Sequence, residues 1–154
     1  EMSASLVGSE MCIRDRYEPG TVKVVAYNEK GEAVAEKEIH TAGKPDHIEL
    51  VADRNEIKAD GKDLSFVTVR VVDKEGNLCP DAQHLIKYSV KGAGTYRAGA
   101  NGDPTSLELF HVPQMKVFNG MMTAVVQSTD KPGEITLTAT GKGLKSGRLV
   151  LISK

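Results

Sequence analysis

The sequence contains no tryptophan, and its three phenylalanines and four tyrosines make up only 5% of 154 residues. Proteins that hold sugars or nucleic-acid bases by stacking need aromatic platforms, so this scarcity argues against a large stacking surface. The chain also lacks the roughly 20 consecutive apolar residues of a membrane-spanning helix. Its 20 Lys and Arg residues nearly balance its 21 Asp and Glu residues. We therefore expect neither a membrane nor a nucleic acid as a partner.

Metal-binding patterns are also missing from the sequence. Cys12 and Cys79 have no second cysteine at C-x-x-C spacing, and no two histidines fall at i, i+2 or i, i+4. The segment Asp73–Asn77 resembles the beginning of a calcium loop, but its glycine is fourth rather than sixth and no glutamate stands at the twelfth position. We interpret this segment as a plain hairpin turn and expect no metal and no cofactor. The four histidines are His40, His47, His84 and His111.

The first 16 residues, EMSASLVGSEMCIRDR, have neither the alternation of a strand nor a sustained helical period. They also lack the positive start and the apolar stretch of about 7 to 15 residues that a secretory signal peptide requires. The string SLVGSEMCIRDR resembles translated sequencing-adapter read-through, which would place the true beginning of the protein upstream. An ordinary flexible tail is the alternative. Both interpretations place residues 1–16 outside the fold.

After residue 16, the sequence is typical of β-strands separated by turns. Thr21–Tyr27 and Ala33–His40 alternate on either side of a turn and predict a β-hairpin. Pro45 and the glycine before it then interrupt the pattern, so we place a domain boundary between residues 43 and 44. The hairpin occupies residues 17–43. Because two strands alone are marginally stable, its apolar face needs a docking partner.

Residues 44–154 contain about seven further short strands and no convincing amphipathic helix. Alternating apolar residues predict a half-buried strand over Leu64–Asp73. Before it, Asp53–Asn55 forms a corner between the two parts of a split first strand, one with Ile48, Leu50 and Ala52 on one face and the other with Ile57 and Ala59. The glycine-rich passage Gly92–Pro104 is too broken for a long regular element, and we predict that it is the main loop region. The pattern predicts an all-β fold, an immunoglobulin-like β-sandwich preceded by a β-hairpin. The other predicted strands are Ile86–Val90, Met121–Ser128, Ile135–Thr140 and Arg148–Ile152.

No arrangement of residues in the sequence is typical of a catalytic site. The chain has no G-x-S-x-G motif to present a nucleophilic serine. Glycoside hydrolysis needs only two carboxylates about 5 to 9.5 Å apart, but a solvated surface position explains each of Asp103, Glu108 and Asp130. We therefore assign no catalytic residue to this chain.

The stretch Asn101–Ser106, NGDPTS, is the most distinctive polar segment. Asn101 and Asp103 can tighten a turn by accepting hydrogen bonds from backbone groups two residues on. Alternatively, they bind sugar hydroxyls beside Tyr96 or Phe110, which would make these four residues a small carbohydrate-binding site. An exposed Tyr96 would favour this alternative, and a buried Tyr96 would argue against it.

Four further segments are informative: Ile48–Arg54, Ala59–Val69, Asn101–Ser106 and Phe118–Gly120. They resemble the C-terminal immunoglobulin-like domain of bacterial glycoside hydrolase family 2 β-galactosidases. The hairpin before residue 44 is similar to the last hairpin of the β-sandwich that precedes this domain in those enzymes. The resemblance implies a parent enzyme that hydrolyses terminal β-galactosides with retention, using two glutamates in a (β/α)8 barrel. A barrel of about 250 residues does not fit into this chain.

The resemblance therefore implies a non-catalytic accessory or spacer module whose partner is the rest of a larger glycosidase. It also implies a periplasmic or extracellular location. Two alternatives stay open. One is a carbohydrate-binding module that tethers the enzyme to polysaccharide. The other is an adhesin-like spacer, because Val69–Asn77 with Pro80 resembles bacterial Ig-like repeats of invasin type, and a shared fold does not determine function.

Overall fold

The computed structural model describes residues 18–154, so the predicted tail at residues 1–16 lies outside the described part of the chain. The described residues form eleven β-strands and no helix, which confirms the all-β prediction. Within this range, no helix is therefore available to cross a bilayer. The chain divides into two compact units, one ending at Thr41 and the other spanning Ala42–Lys154. The strands are β1 (Thr21–Tyr27), β2 (Ala33–His40), β3 (His47–Ala52), β4 (Glu56–Ile57), β5 (Leu64–Val72), β6 (Leu85–Gly92), β7 (Gly94–Ala100), β8 (Gln114–Lys116), β9 (Met121–Ser128), β10 (Gly133–Gly141) and β11 (Gly147–Ser153).

The first unit contains the predicted hairpin, in which β1 and β2 pair antiparallel. Its turn is closed by Asn28, whose side-chain Oδ1 accepts hydrogen bonds from the N–H groups of Lys30 and Glu32. One face of the hairpin is apolar and solvent-exposed, with Val22 and Ile39 each 66% exposed. On the opposite face, the Nζ atom of Lys23 lies 2.9 Å from Glu36 and 3.2 Å from Glu38. The alternation therefore places Val22 and Ile39 on one face and the cluster around Lys23 on the other, although Lys37 lies opposite Val24 on the first face. The origin of this hairpin in a preceding sandwich stays a prediction.

The second unit is a sandwich of two sheets, with strand orders β3-β5-β9-β7 and β4-β11-β10-β6-β8. It has nine strands where about seven are predicted, and the two additional ones are β7 and β8. Inward side chains from both sheets form one buried core, in which Val67, Val126, Leu137 and Leu151 are 0% exposed. Each such burial contributes about 1.5–3 kcal/mol. This core stabilises the sandwich without a disulfide among the described residues.

The predicted corner at Asp53–Asn55 transfers the chain from one sheet to the other. Before the corner, β3 pairs with β5, and after it β4 pairs in parallel with β11. The side-chain Oδ1 of Asp53 accepts hydrogen bonds from the N–H of Phe66 and the hydroxyl of Ser65. Ser65 is fully buried and also donates to the carbonyl of Arg54. The corner is therefore fixed by polar contacts that converge on the buried hydroxyl of Ser65.

The prediction of a loop over Gly92–Pro104 is wrong for its central part, because residues 94–100 form β7. Gly94 and Gly99 are buried. A Cβ atom on Gly94 would lie 2.8 Å from the side chain of Ile135, and one on Gly99 would lie 2.5 Å from the hydroxyl of Tyr96. These glycines permit a close approach between the strand and its neighbours, and they do not mark turns.

Candidate functional site

The polar residues of Asn101–Ser106 follow β7 and organise the loop that leads to β8. The Nδ2 of Asn101 donates a 3.0 Å hydrogen bond to the carbonyl of Lys116, and its Oδ1 accepts one from the N–H of Asp103. The Oδ1 of Asp103 accepts hydrogen bonds from the hydroxyl and the N–H of Thr105, at 2.7 and 2.8 Å. These two bonds hold the pKa of Asp103 below its ordinary value. Both side chains thus have a local role in fixing the turn.

Tyr96 lies on β7 with its ring packed toward the core. The ring stacks on that of the buried Tyr88, with centroids 5.5 Å apart and an interplanar angle of 13°. Burial raises the pKa of both hydroxyls. The hydroxyl of Tyr88 donates to the Sδ of Met122 at 2.7 Å, and that of Tyr96 donates to the carbonyl of Phe110 at 3.4 Å. One face of the Tyr96 ring is therefore occupied by protein and is closed to a sugar.

The four residues of the predicted carbohydrate site form two separate hydrogen-bonded pairs. Tyr96 contacts the backbone of Phe110, and Asn101 contacts the backbone of Asp103. Phe110 carries an exposed ring, at 61%, whereas Tyr96 is only partly exposed. The partial burial of Tyr96 and the local roles of Asn101 and Asp103 count against a sugar site. Carbohydrate binding by these residues stays a prediction.

The most exposed side chains of this loop are apolar, and two of them, Leu107 and Leu109, are not among the functional residues predicted from the sequence. Leu107 is 96% exposed, Leu109 62% and Phe110 61%. We call these three residues the apolar tip. Exposed large apolar residues at adjacent positions form a patch of the kind that marks protein interaction sites. The signal available in the sequence was the run Leu-Glu-Leu-Phe inside an otherwise polar loop.

The apolar tip is held in place by hydrogen bonds on both sides. The two carboxylate oxygens of Glu108 each lie 3.2 Å from the backbone nitrogen of Lys116. The N–H of Gly99 donates to the carbonyl of Phe110 at 2.8 Å, and the N–H of Val112 donates to the carbonyl of Leu109 at 3.3 Å. An anchored loop loses less conformational entropy on binding than a free one. The apolar tip is therefore preorganised for contact.

The other polar candidates of the sequence have structural roles. Asp73–Asn77 forms the predicted turn, closed by an antiparallel bridge between Val72 and Leu78. The carboxylate of Asp73 accepts hydrogen bonds from four N–H donors, on Gly43, Glu75 and Asn77. These hydrogen bonds lower the pKa of Asp73 to about 2, and the bond from Gly43 has the largest effect. Between residues 18 and 154, no group of three or more His, Cys, Asp or Glu side chains is arranged to hold a metal ion.

Comparisons with known proteins identify a family and several enzymes that this chain resembles. The profile of glycoside hydrolase family 2 C-terminal domain 5 matches residues 48–150. A β-galactosidase of Bacteroides ovatus, BoGH2A, is 52% identical over 136 residues, which cover 88% of this chain and 16% of that enzyme. The crystal structure of a glycosyl hydrolase family 2 member from Bacteroides cellulosilyticus superimposes with a TM-score of 0.81 at 36% identity, covering 90% of this chain and 18% of that one.

A third similarity concerns the fold alone. The D00-D0 domain of intimin superimposes with a TM-score of 0.51 at 16% sequence identity, covering 89% of this chain and 66% of that one. This likeness agrees with the predicted resemblance to spacer modules in architecture, and it carries no information on function.

Proposed function

Because this chain belongs to the glycoside hydrolase family 2 C-terminal domain 5 family, we propose that it is a non-catalytic, structural module of a larger glycosidase. It spans 16% of the length of the Bacteroides ovatus enzyme and 18% of the Bacteroides cellulosilyticus one. The name of the former relative supports hydrolysis of terminal β-galactosides as the activity of the whole protein. A periplasmic or extracellular location is part of the same proposal.

The observation that carries this proposal is the apolar tip. Leu107 is 96% exposed although the loop around it is anchored by hydrogen bonds. Full burial of a leucine or phenylalanine side chain contributes about 1.5–3 kcal/mol, so a patch of three is a substantial docking element. We assign its partner as the remainder of the glycosidase, against which the module packs. The role of the module is then to stabilise the enzyme that contains it.

A domain exchange in the Bacteroides ovatus relative tests the proposal. One variant lacks the 136 residues that align with this chain, and a second carries the aligned residues of this chain in their place. The deletion should shorten the half-life of β-galactosidase activity at raised temperature, and the exchange should restore it. In the exchanged enzyme, the triple substitution Leu107→Ser, Leu109→Ser, Phe110→Ser should cancel the restoration.

The matched control for this experiment is Val150→Thr with Ile152→Thr, because these residues are exposed at 40% and 42% but lie on β11, which β10 and β6 separate from β8, the strand to which the loop leads. This double variant should restore the half-life fully. An unchanged half-life after deletion, or full restoration by the triple variant, would contradict the structural role. Hydrolysis of 4-nitrophenyl β-galactoside by the purified chain, abolished by Glu108→Gln, would contradict the non-catalytic role.

A further inference from the structure

The outer face of the five-stranded sheet carries a ladder of threonines along its central strand, β10. Thr136, Thr138 and Thr140 alternate with the buried Ile135, Leu137 and Ala139, and so point away from the core. Neighbouring strands lie about 4.8 Å apart, so the residues opposite these threonines are their immediate neighbours on the same face. The ladder therefore places three hydroxyls on the outer face of the sheet, of which those of Thr136 and Thr140 also donate hydrogen bonds to Glu134 and to the carbonyl of Lys87.

Cations flank this threonine ladder on both sides. Lys91 lies opposite Thr136 and Lys87 opposite Thr140 on β6, and Arg148 lies opposite Thr138 on β11. These three side chains and Lys142, in the turn after β10, are exposed. None of the four cations forms an ion pair with a residue of the described chain.

The carboxylates near these cations are few. Glu134, on β10, accepts a hydrogen bond from the hydroxyl of Thr136. Glu56, at the far edge of the sheet, is paired with Lys154. We call Lys87, Lys91, Lys142, Arg148 and the threonine ladder the basic face. The formal charge of the whole chain is -1, so the balanced composition conceals an uneven distribution of charge.

A groove lies at one end of the basic face, with a volume of about 910 Å³ and walls that include His84, Lys87, Thr140 and Lys142. The Nδ1 atom of His84 is buried without a hydrogen-bond partner in the described chain. Because Nδ1 is itself buried, the groove presents only two cations and the hydroxyl of Thr140, which also donates a 3.5 Å hydrogen bond to the carbonyl of Lys87.

We propose that the basic face and its groove bind an acidic polysaccharide. Ammonium and guanidinium groups recognise carboxylates, and threonine hydroxyls can donate to and accept from sugar hydroxyls. None of the outward positions of β6, β10 and β11 is aromatic, so neither neutral sugar rings nor nucleic-acid bases would gain stacking energy here. A ligand with both carboxylates and hydroxyls matches this surface. The inference goes beyond the structural role proposed above and does not depend on it.

The test is affinity electrophoresis of the full chain in gels that contain polygalacturonate, neutral galactan or no polymer. The chain should be retarded by polygalacturonate alone, and added salt should weaken the retardation because it screens exposed charges. Lys87→Gln with Lys142→Gln should weaken binding by about five- to tenfold, the effect of losing two exposed charge pairs. Thr138→Val, which removes one hydroxyl at constant shape, should also weaken it.

The control is Lys62→Gln with Lys74→Gln, which changes the net charge equally at exposed positions outside the basic face. This variant should bind polygalacturonate as the parent chain does. The proposal is overturned if the parent chain is not retarded, or if the control loses as much affinity as Lys87→Gln with Lys142→Gln. Equal retardation by single-stranded DNA, with no effect of Thr138→Val, would identify a general polyanion surface and also overturn it. If the first double variant does not fold, Lys91→Gln with Arg148→Gln takes its place.

Discussion

Asp73 and Gly43 are joined by a 2.7 Å hydrogen bond, which the backbone N–H of Gly43 donates to Oδ2 of Asp73. The same carboxylate accepts hydrogen bonds from the backbone of Glu75 and from both the backbone and the side chain of Asn77. Asp73 is 1% exposed. A single carboxylate therefore closes the turn after β5 and holds the beginning of the second unit against it.

Replacement of Asp73 should destabilise the second unit. In Asp73→Asn, an amide N–H₂ takes the place of one carboxylate oxygen, and at least one of the N–H donors loses its acceptor. We expect a lower urea midpoint, measured by circular dichroism. Asp130→Asn, at an exposed position in the turn between β9 and β10, is the control and should leave the midpoint unchanged. Equal midpoints for the parent chain and Asp73→Asn would contradict the anchoring role.

The stability of the chain should also depend on pH through Asp73. Hydrogen bonds lower the pKa of this carboxyl from 3.8 to about 2 in the folded state. A depressed pKa adds stability that is present above the unfolded value and is lost as the pH falls toward the folded value. The urea midpoint of the parent chain should therefore drop between about pH 4 and pH 2. In Asp73→Asn the drop should be shallower, and parallel curves for the two proteins would refute the assignment.

Gly92 and Gly76 have similar backbone conformations but different surroundings. Alanine substitutions at these two positions therefore distinguish a steric clash from backbone strain. Gly92 has φ 92° and Gly76 has φ 87°. A Cβ atom on Gly92 would lie 2.0 Å from the carbonyl oxygen of Glu134, whereas nothing lies within 4 Å of one on Gly76. Gly76→Ala should cost about 1 kcal/mol of unfolding free energy for the left-handed backbone. Gly92→Ala should cost about 3 kcal/mol because overpacking is added. Similar urea midpoints for the two variants would contradict the packing between β6 and β10.

The apolar tip should be dispensable for the stability of the chain by itself. Leu107 is 96% exposed, whereas Leu137 is 0% exposed. Leu107→Ser should therefore change the free energy of unfolding by no more than about 0.5 kcal/mol. Leu137→Ala should cost about 2–5 kcal/mol through the cavity it leaves in the core. A large loss of stability in Leu107→Ser would mean that this side chain packs within the module and is not available for docking.

The strands that the sequence predicts well are those with strict alternation between defined turns. Thr21–Tyr27 and Met121–Ser128 match the structure at both ends. For Leu64–Val72, the prediction extends one residue too far. Period-two burial is a local property, so it is visible in the sequence. The alternation does not indicate which sheet a strand joins. The parallel pairing of β4 with β11 therefore could not be predicted.

The features that could not be predicted from the sequence depend on tertiary contacts. The glycines of β7 resemble turn residues until Ile135 and Tyr96 are placed against them. The exposure of Leu107 and Leu109 depends on the path of the whole loop, and apolar residues are ordinarily predicted to be buried. The basic face arises where β6 pairs with β10, a strand separated from it along the chain by β7, β8 and β9. Composition and periodicity do not indicate which strands become neighbours in a sheet.

The most direct test of the structural role is the accessibility of position 107 in the assembled enzyme. Leu107→Cys is introduced into the purified chain and into the exchanged Bacteroides ovatus enzyme, and alkylation by iodoacetamide is followed by peptide mass spectrometry. Lys74→Cys, in the exposed turn after β5, is the control for general reactivity. We predict rapid labelling at position 107 in the chain alone and strong protection in the enzyme, with equal labelling at position 74. Equal labelling at position 107 in both proteins would contradict docking through the apolar tip.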